Sequence, residues 1–435
     1  MKKKRRRSGL SFGTVFMLLF TVAVTLGCVG FLYRIAGAGA ALRATDILSS
    51  FTFAQETEEP VLRARTAPEA TSVYTAPPAR QTTAAPAATH TPIPQKTTIT
   101  IAAAGTVYAP KAVRQTVETG ADQYDFTPVF APLEKALGSA DLAIATLETT
   151  TAGSEKGYGN YNTPVQILDA LRDCGLDILA LATERALDKG YDGLAITMQE
   201  MTSRGISFAG AAGDGEAAAA TSSIGGVQVA VLAYTYGLSG EGEEKTQSDA
   251  QGMVAKLDSE RIRSDIAAVR HAGANLVIVL PHWGTKNKAA TPDEVVALAR
   301  EMAVAGADIV LGTHPNVVQG IERITATRAD GLAYETLVCY SLGSLLTDAR
   351  TEENTAGMAV SIDVTYDPVT RRVEIAAPQV MPLYIARTRE EEKTVYRVVP
   401  AEDEQAVAAL EEKEQAAAQK AAGIVRNAAG EEGLQ

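Results

Sequence analysis

The chain is poor in the residues that carry thiol, metal and nucleic-acid chemistry. Of its 435 residues, four are histidine, three are cysteine and one is tryptophan. Cys28, Cys174 and Cys339 stand far apart with no CxxC pair, which excludes a zinc ribbon or a dithiol motif. Nothing in the spacing supports a Cys174–Cys339 disulfide, and both read as buried free thiols. Beyond residue 34 the chain carries 33 Lys and Arg against 52 Asp and Glu, a formal charge of −19. Nucleic-acid binding needs a basic face, so no nucleic acid is expected as a partner. The glycine-rich Gly210–Gly215 has no lysine and no strand–turn–helix register, so it reads as a loop and not a phosphate loop. Ser341 sits in no nucleophile elbow.

Positive charge gathers at one end. Every residue from Lys2 to Arg7 is basic, and an apolar stretch from Phe12 to Tyr33 follows. Its length of about 20 residues is that of a bilayer-spanning helix, and the basic flank marks the cytoplasmic side. Residues 1–34 therefore read as a cytoplasmic basic segment and transmembrane anchor, with the remainder extracytoplasmic on a single-pass cell-membrane protein. A cleaved signal peptide is the alternative, with Ala36–Ala40 as its small-residue site. Residues 35–97 are rich in Thr, Pro and Ala, as in Thr75-Ala76-Pro77-Pro78. That composition cannot bury a core and reads as a disordered linker.

Regular structure is expected from Thr98. Strands are read at Thr98–Ala104, Asp141–Leu147, Asp177–Ala182 and Val227–Ala233, with helices between them. Next comes a β-α-β unit: Leu276–Leu280, a helix over Thr291–Ala305, and Ile309–Leu311. A histidine follows each strand, in Pro281-His282-Trp283-Gly284 and Gly312-Thr313-His314-Pro315. In open α/β sheets, the carboxyl edge of the strands is where sites form. Four strands then follow without helices, over Val317–Thr325, Glu335–Tyr340, Met358–Tyr366 and Arg372–Met381. The alternating half predicts a largely parallel sheet, and the late strands predict a second sheet packed on it. Residues 400–435 are rich in Ala, Glu, Lys and Gln and read as an exposed helix or frayed tail.

The order of motifs over residues 98–399 resembles the CapA-type capsule and poly-γ-glutamate biosynthesis proteins, which are related in fold to calcineurin-like metallophosphoesterases. It rests on Gly105-Thr106, Thr146-Leu147-Glu148, Ala182–Gly190, His282-Trp283-Gly284, Gly312–Gln319 and Tyr340-Ser341-Leu342-Gly343-Ser344. The resemblance implies an α/β fold, a metallophosphoesterase-like α/β/β/α sandwich. It also implies a role in making or anchoring an anionic envelope polymer, with that polymer or biosynthetic membrane proteins as partners.

The departures from the family pattern bear on chemistry. A two-metal hydrolytic site needs carboxylate, imidazole and amide ligands converging from several loops. Thr106 stands where the family has aspartate, and Thr146 where it has asparagine. Thr183-Glu184-Arg185 replaces Asn-Asn-His, and a guanidinium repels a metal. Thr313 and Asn316 replace two histidines, and Lys286-Asn287 replaces Glu-Tyr. No resident cofactor is therefore expected, a single divalent metal ion being the alternative. His282 and His314 are the candidate cleft residues. Glu148, Arg185, Asp188, Trp283 and Asn316 are candidate binding residues. Asp188 also suits a turn, Glu148 a cap, and Trp283 a core position. An ion pair of Arg185 with Glu184 or Glu148 would replace the metal charge. A non-catalytic member is the leading expectation, and a reduced-site hydrolase or transferase the alternative.

Overall fold

A computed structural model describes residues 95–213, 217, 219–238, 253–328, 331–390 and 393–430. The expected anchor and most of the expected linker lie outside the described residues. Among the described residues no helix is long and apolar enough to cross a membrane.

The first sheet is built around β1 (Thr97–Val107). A short hairpin of β2 (Glu118–Gly120) and β3 (Gln123–Tyr124) follows it in the chain and pairs only with itself. On one side β1 pairs in parallel with β4 (Leu142–Leu147), which continues to β5 (Ile178–Ala180) and β6 (Ser207–Ala209). On the other side it pairs antiparallel with β14 (Ala356–Asp367), in a register running from Thr97↔Tyr366 to Ala103↔Val360. Beyond β14 lie β16 (Gln379–Glu390) and β17 (Lys393–Pro400), while β15 (Arg372–Ile375) pairs the far end of β14. The end of β1 takes a new parallel neighbour, β13 (Ser344–Leu346). Every residue of β4 is buried, as expected of a parallel strand covered on both faces.

The second sheet has the order β11 (Ile321–Thr327), β12 (Ala333–Cys339), β10 (Ile309–Leu311), β9 (Leu276–His282), β8 (Val227–Thr235) and β7 (Ala220–Ile224). Its side chains alternate with the strand period of two. Val229, Val231, Ile278, Leu280 and Ile309 join the core shared with the first sheet. Leu232, Tyr234, Val277, Val279 and Val310 face a separate core with helices Ser259–His271 and Asp293–Ala305. Asp258 caps the first of these helices by accepting from Arg261 N at 2.7 Å. Gly306, at φ 114°, ends the second in the left-handed conformation that glycine adopts without a Cβ clash. Helices also pack on the first sheet, so the layers follow the expected sandwich.

Two expectations need correction. The late strands do not all build the second sheet: β14 to β17 extend the first sheet through β1, and only β11 and β12 join the second. Local pattern shows that a segment is a strand, but pairing across 250 residues of chain is decided by packing. The segment Arg372–Met381 is also two strands, not one. Nor do residues 400–430 form an exposed or frayed tail. Their helix Glu412–Ala429 packs on β16 and β14 and buries Ala418, Ala421, Val425 and Ala429. Buried Glu414 accepts from Tyr384 Oη at 2.7 Å and from Arg387 N at 2.9 Å. The folded unit therefore runs past residue 399.

Candidate functional site

The carboxyl edges of both sheets converge on one cleft. Thr106 arrives from β1, Thr146 from β4, Glu148 from just past its end, and Thr183 to Asp188 from the segment after β5. Tyr236 follows β8, His282 ends β9, and His314 follows β10. His282 is the last residue of its strand, paired with Thr235, and so lies one step earlier than the sequence pattern placed it. His314 holds φ 98° and Asn316 φ 60°. Such left-handed angles are strained for residues with a Cβ and cluster at constrained sites.

The two histidines touch. His314 Nδ1 lies 3.1 Å from His282 Nε2, and His282 Nδ1 lies 3.3 Å from Thr313 Oγ1. Burial lowers His282 well below the usual histidine range, with His314, Lys286 and Arg185 adding to the effect. Burial also lowers His314, to about 4; Glu184 opposes this, and Lys286 and Arg185 reinforce it. The Tyr236 ring sits 4.7 Å from the His314 ring.

Opposite the histidines is a charge cluster. Lys286 Nζ bonds Glu184 and lies 3.8 Å from Glu148 Oε1. Tyr236 Oη donates to the other oxygen of Glu184. Arg185 Nε lies 3.1 Å from Glu184, and its Nη1 lies 3.6 Å from Asp188. The guanidinium stacks over the Tyr161 ring at 4.0 Å. Burial would raise the Glu184 carboxyl, but the bonds from Lys286 and Tyr236 win and hold it below the usual range. For Glu148 burial wins: its carboxyl rises to about 7, although Lys286 opposes. Asp188 rises to about 6 by burial, against the pull of Arg185.

The cleft brings together His282, His314, Glu148, Arg185 and Asp188 from the sequence reading. Asp188 also forms a turn, its N–H donating to Arg185 O at 3.1 Å. Trp283 is only 1 % exposed and donates from Nε1 to Tyr340 O at 2.9 Å, so it is core and not a cleft wall. Asn316 accepts through its backbone carbonyl from Asn354 Nδ2 at 2.9 Å. The reading passed over Tyr236 and Tyr161. Tyr236 was findable, since it directly follows the carboxyl end of β8. Tyr161 lies in a loop whose sequence carries no periodic signal.

The hydroxyls of Thr106, Thr146 and Thr183 are buried without a hydrogen-bond partner among the described residues. Among those residues, no group of three or more His, Cys, Asp or Glu is arranged to hold a metal ion.

The two-sheet sandwich with its cleft on the carboxyl edge defines an α/β sandwich protein. Residues 100–349 match the family described as bacterial capsule synthesis protein PGA_cap, and the chain belongs to that family. It is 26% identical over 241 residues to the PGA biosynthesis protein CapA of Bacillus subtilis (strain 168), covering 53% of this chain and 60% of that protein. It is 25% identical over 262 residues to the capsule biosynthesis protein CapA of Bacillus anthracis, covering 58% of this chain and 60% of that one. The match thus spans about 60% of the length of these relatives. Among solved structures, the calcineurin-like phosphoesterase YfkN from Bacillus subtilis overlaps with a TM-score of 0.41 at 14% identity, over 75% of this chain and 100% of that one. The 5'-nucleotidase precursor from Thermus thermophilus overlaps with a TM-score of 0.40 at 14% identity, over 75% and 58%.

Proposed function

We propose that this chain serves capsule or poly-γ-glutamate biosynthesis as a membrane-anchored, extracytoplasmic, non-catalytic member of its family. Membership supports the polymer role. The basic cluster and apolar run at the N-terminus support the anchor.

One observation carries the non-catalytic reading. Among the described residues every carboxylate of the cleft pairs with a protein cation: Glu184 and Glu148 with Lys286, and Glu184 and Asp188 with Arg185. The residues present do not fit a two-metal cluster. Two fixed cations in a buried site repel divalent ions, and repulsion grows as the local dielectric falls. Threonine hydroxyls are poor replacements for anionic and amide ligands. The ion pairs do the structural job that metals would do, holding loops from both sheets together.

Metal content and turnover test this reading. The purified full chain should hold less than one manganese, iron or zinc ion and show no phosphoester turnover above background. Two bound metals per chain, with turnover lost in His282→Ala and His314→Ala, would establish the hydrolase alternative instead. The polymer role is tested in the host: disrupting the chain should reduce the surface polymer, and an unchanged polymer layer would refute the role. Protease added to intact protoplasts should release the domain, and full protection would refute the topology.

A further inference from the structure

Among the described residues the cleft has two cations against three carboxylates, which gives no net positive charge to a polyanion. A second concavity does. It encloses about 860 Å³ at the other end of the strands that carry the histidines. Asn275 and Asp308, at the amino ends of β9 and β10, line it, whereas His282 ends β9 seven residues later. At about 3.3 Å per residue, the two sites are roughly 20 Å apart. The groove lies on the seam between the sheets, where Asn275 Nδ2 donates to Tyr366 Oη at 3.1 Å.

Its lining is basic on a chain of net charge −12. Among the described residues, Arg270, His271, Arg328, Arg371 and Arg372 line it against one carboxylate, Asp308. Asp308 is buried and already engaged: it binds Arg270, accepts from Arg328 Nη2 at 2.9 Å and from Val277 N at 2.8 Å. The nearby acids pair with two other cations, Asp367 and Glu374 sharing Lys96. Asp367 and Glu374 lie 3.9 and 3.1 Å from Lys96, and Glu335 lies 3.4 Å from Arg323. Arg371 and Arg372 are exposed, and among the described residues these acids' ion pairs are with Lys96 and Arg323.

Two guanidinium groups converge on a single ring. Arg328 Cζ lies 4.2 Å and Arg372 Cζ 5.0 Å from the Tyr334 centroid. The aromatic face attracts each cation, but the cations repel one another. An anion between them would relieve that repulsion. Buried Arg328 Nε has no acceptor among the described residues. Arg371 stands at φ 59° in the turn between β14 and β15, its N–H bonded to Asp367 O at 2.7 Å. Glycine or asparagine would suit that backbone better, yet the position carries a charge that extends the basic rim.

We propose that this groove is a second binding site, separate from the cleft, that takes a linear chain of carboxylates. Planar guanidinium groups match carboxylates two bonds at a time. An open groove lined by several such groups suits a chain that repeats its charge. The identity of that chain rests on the polymer reading above, while the groove's selection of anions does not.

The test is binding of fluorescent oligo-γ-glutamate to the purified full chain, read by anisotropy. Binding should weaken as salt is raised, because exposed charges are screened. The double variant Arg371→Glu/Arg372→Glu should bind at least about tenfold more weakly, since each lost charge-assisted contact contributes on the order of one tenfold step. Arg371→Gly/Arg372→Gln, which relieves the turn, should weaken binding while keeping the thermal midpoint. Lys420→Glu, an exposed lysine on the C-terminal helix, changes the charge by as much as Arg371→Gly/Arg372→Gln does; it serves as the control and should bind as wild type does. Equal binding by wild type and both groove variants overturns the proposal. Loss in Arg185→Ala with none in the groove variants also overturns it, and leaves the polymer reading standing. Tighter binding of inorganic polyphosphate of equal charge overturns the carboxylate assignment. If wild type binds neither probe, the groove proposal fails, and the polymer role is judged separately by the host disruption.

Discussion

His314 Nδ1 stands 3.1 Å from His282 Nε2, and the two rings form one neutral hydrogen-bonded pair. If His314 donates, His282 accepts and gives its own Nδ1 proton to Thr313; if His282 donates, Thr313 gives instead. Neither direction needs a positive ring, which agrees with the lowered proton affinity of both. Among the described residues, charge in the cleft is therefore confined to the Glu148, Glu184, Asp188, Arg185 and Lys286 side.

The first prediction concerns pH. The histidines are depressed from 6.5, His314 to about 4, so the stability they contribute is complete above pH 6.5 and falls toward acid, His314's share being lost as pH falls through 4. Glu148 has the opposite sign: raised from 4.5 to about 7, it contributes fully below pH 4.5 and loses that contribution as pH rises through 7. Asp188, raised from 3.8 to about 6, acts with Glu148. The opposed slopes should nearly cancel between pH 4.5 and 6. Glu148→Gln removes part of one side, so its stability should fall more steeply toward acid than that of the wild type. Urea unfolding across this range checks it, and parallel curves would count against the assignment.

Lys286→Met should destabilise the fold by about 1–3 kcal/mol, because it leaves Glu184 and Glu148 charged or protonated without their cation. Lys286 is 35% exposed, so the loss should be smaller than for a fully buried pair. Glu148 should also move further upward. Carboxyl NMR titration measures that shift, and an unmoved Glu148 would mean Lys286 does not act on it.

Gly312→Ala should cost about 1–3 kcal/mol through overpacking. A Cβ there would stand 2.0 Å from Tyr340 O and 2.5 Å from Trp283 Nε1, splitting the bond between them. Trp283 is the sole tryptophan, so its fluorescence reports the change directly. Unaltered emission and stability would show that the loop yields freely.

Truncation after Pro400 should unfold or aggregate the chain. Leu410 and Val425 alone contribute about 3–6 kcal/mol of apolar burial, and both are buried. The milder Glu414→Ala should cost about 1–3 kcal/mol, since Tyr384 Oη and Arg387 N lose their acceptor. A soluble truncated chain with an unchanged thermal midpoint would refute the structural role of this helix.

Much of this protein is written in local sequence. The apolar runs of β1, β4, β9 and β10 specify strands, and the histidines at their ends specify the edge where the cleft forms, because strand direction decides which residues reach that edge. The motif order was enough to place the chain in its family. The substitutions at Thr106, Thr183, Arg185 and Thr313 were legible one by one.

Other features exist only in three dimensions. Lys286 lies 102 residues from Glu184 in sequence, and no periodicity links them. Tyr161 reaches Arg185 from an irregular loop. The basic groove gathers arginines from a helix end, a strand end and a hairpin turn. The C-terminal helix looks polar in composition, yet its small Ala residues let it lie close on β14 and β16. Periodicity acts through neighbours a few residues apart, so it determines elements and faces. Pairing between distant segments depends on which surfaces exclude water together, and the tertiary structure alone decides that.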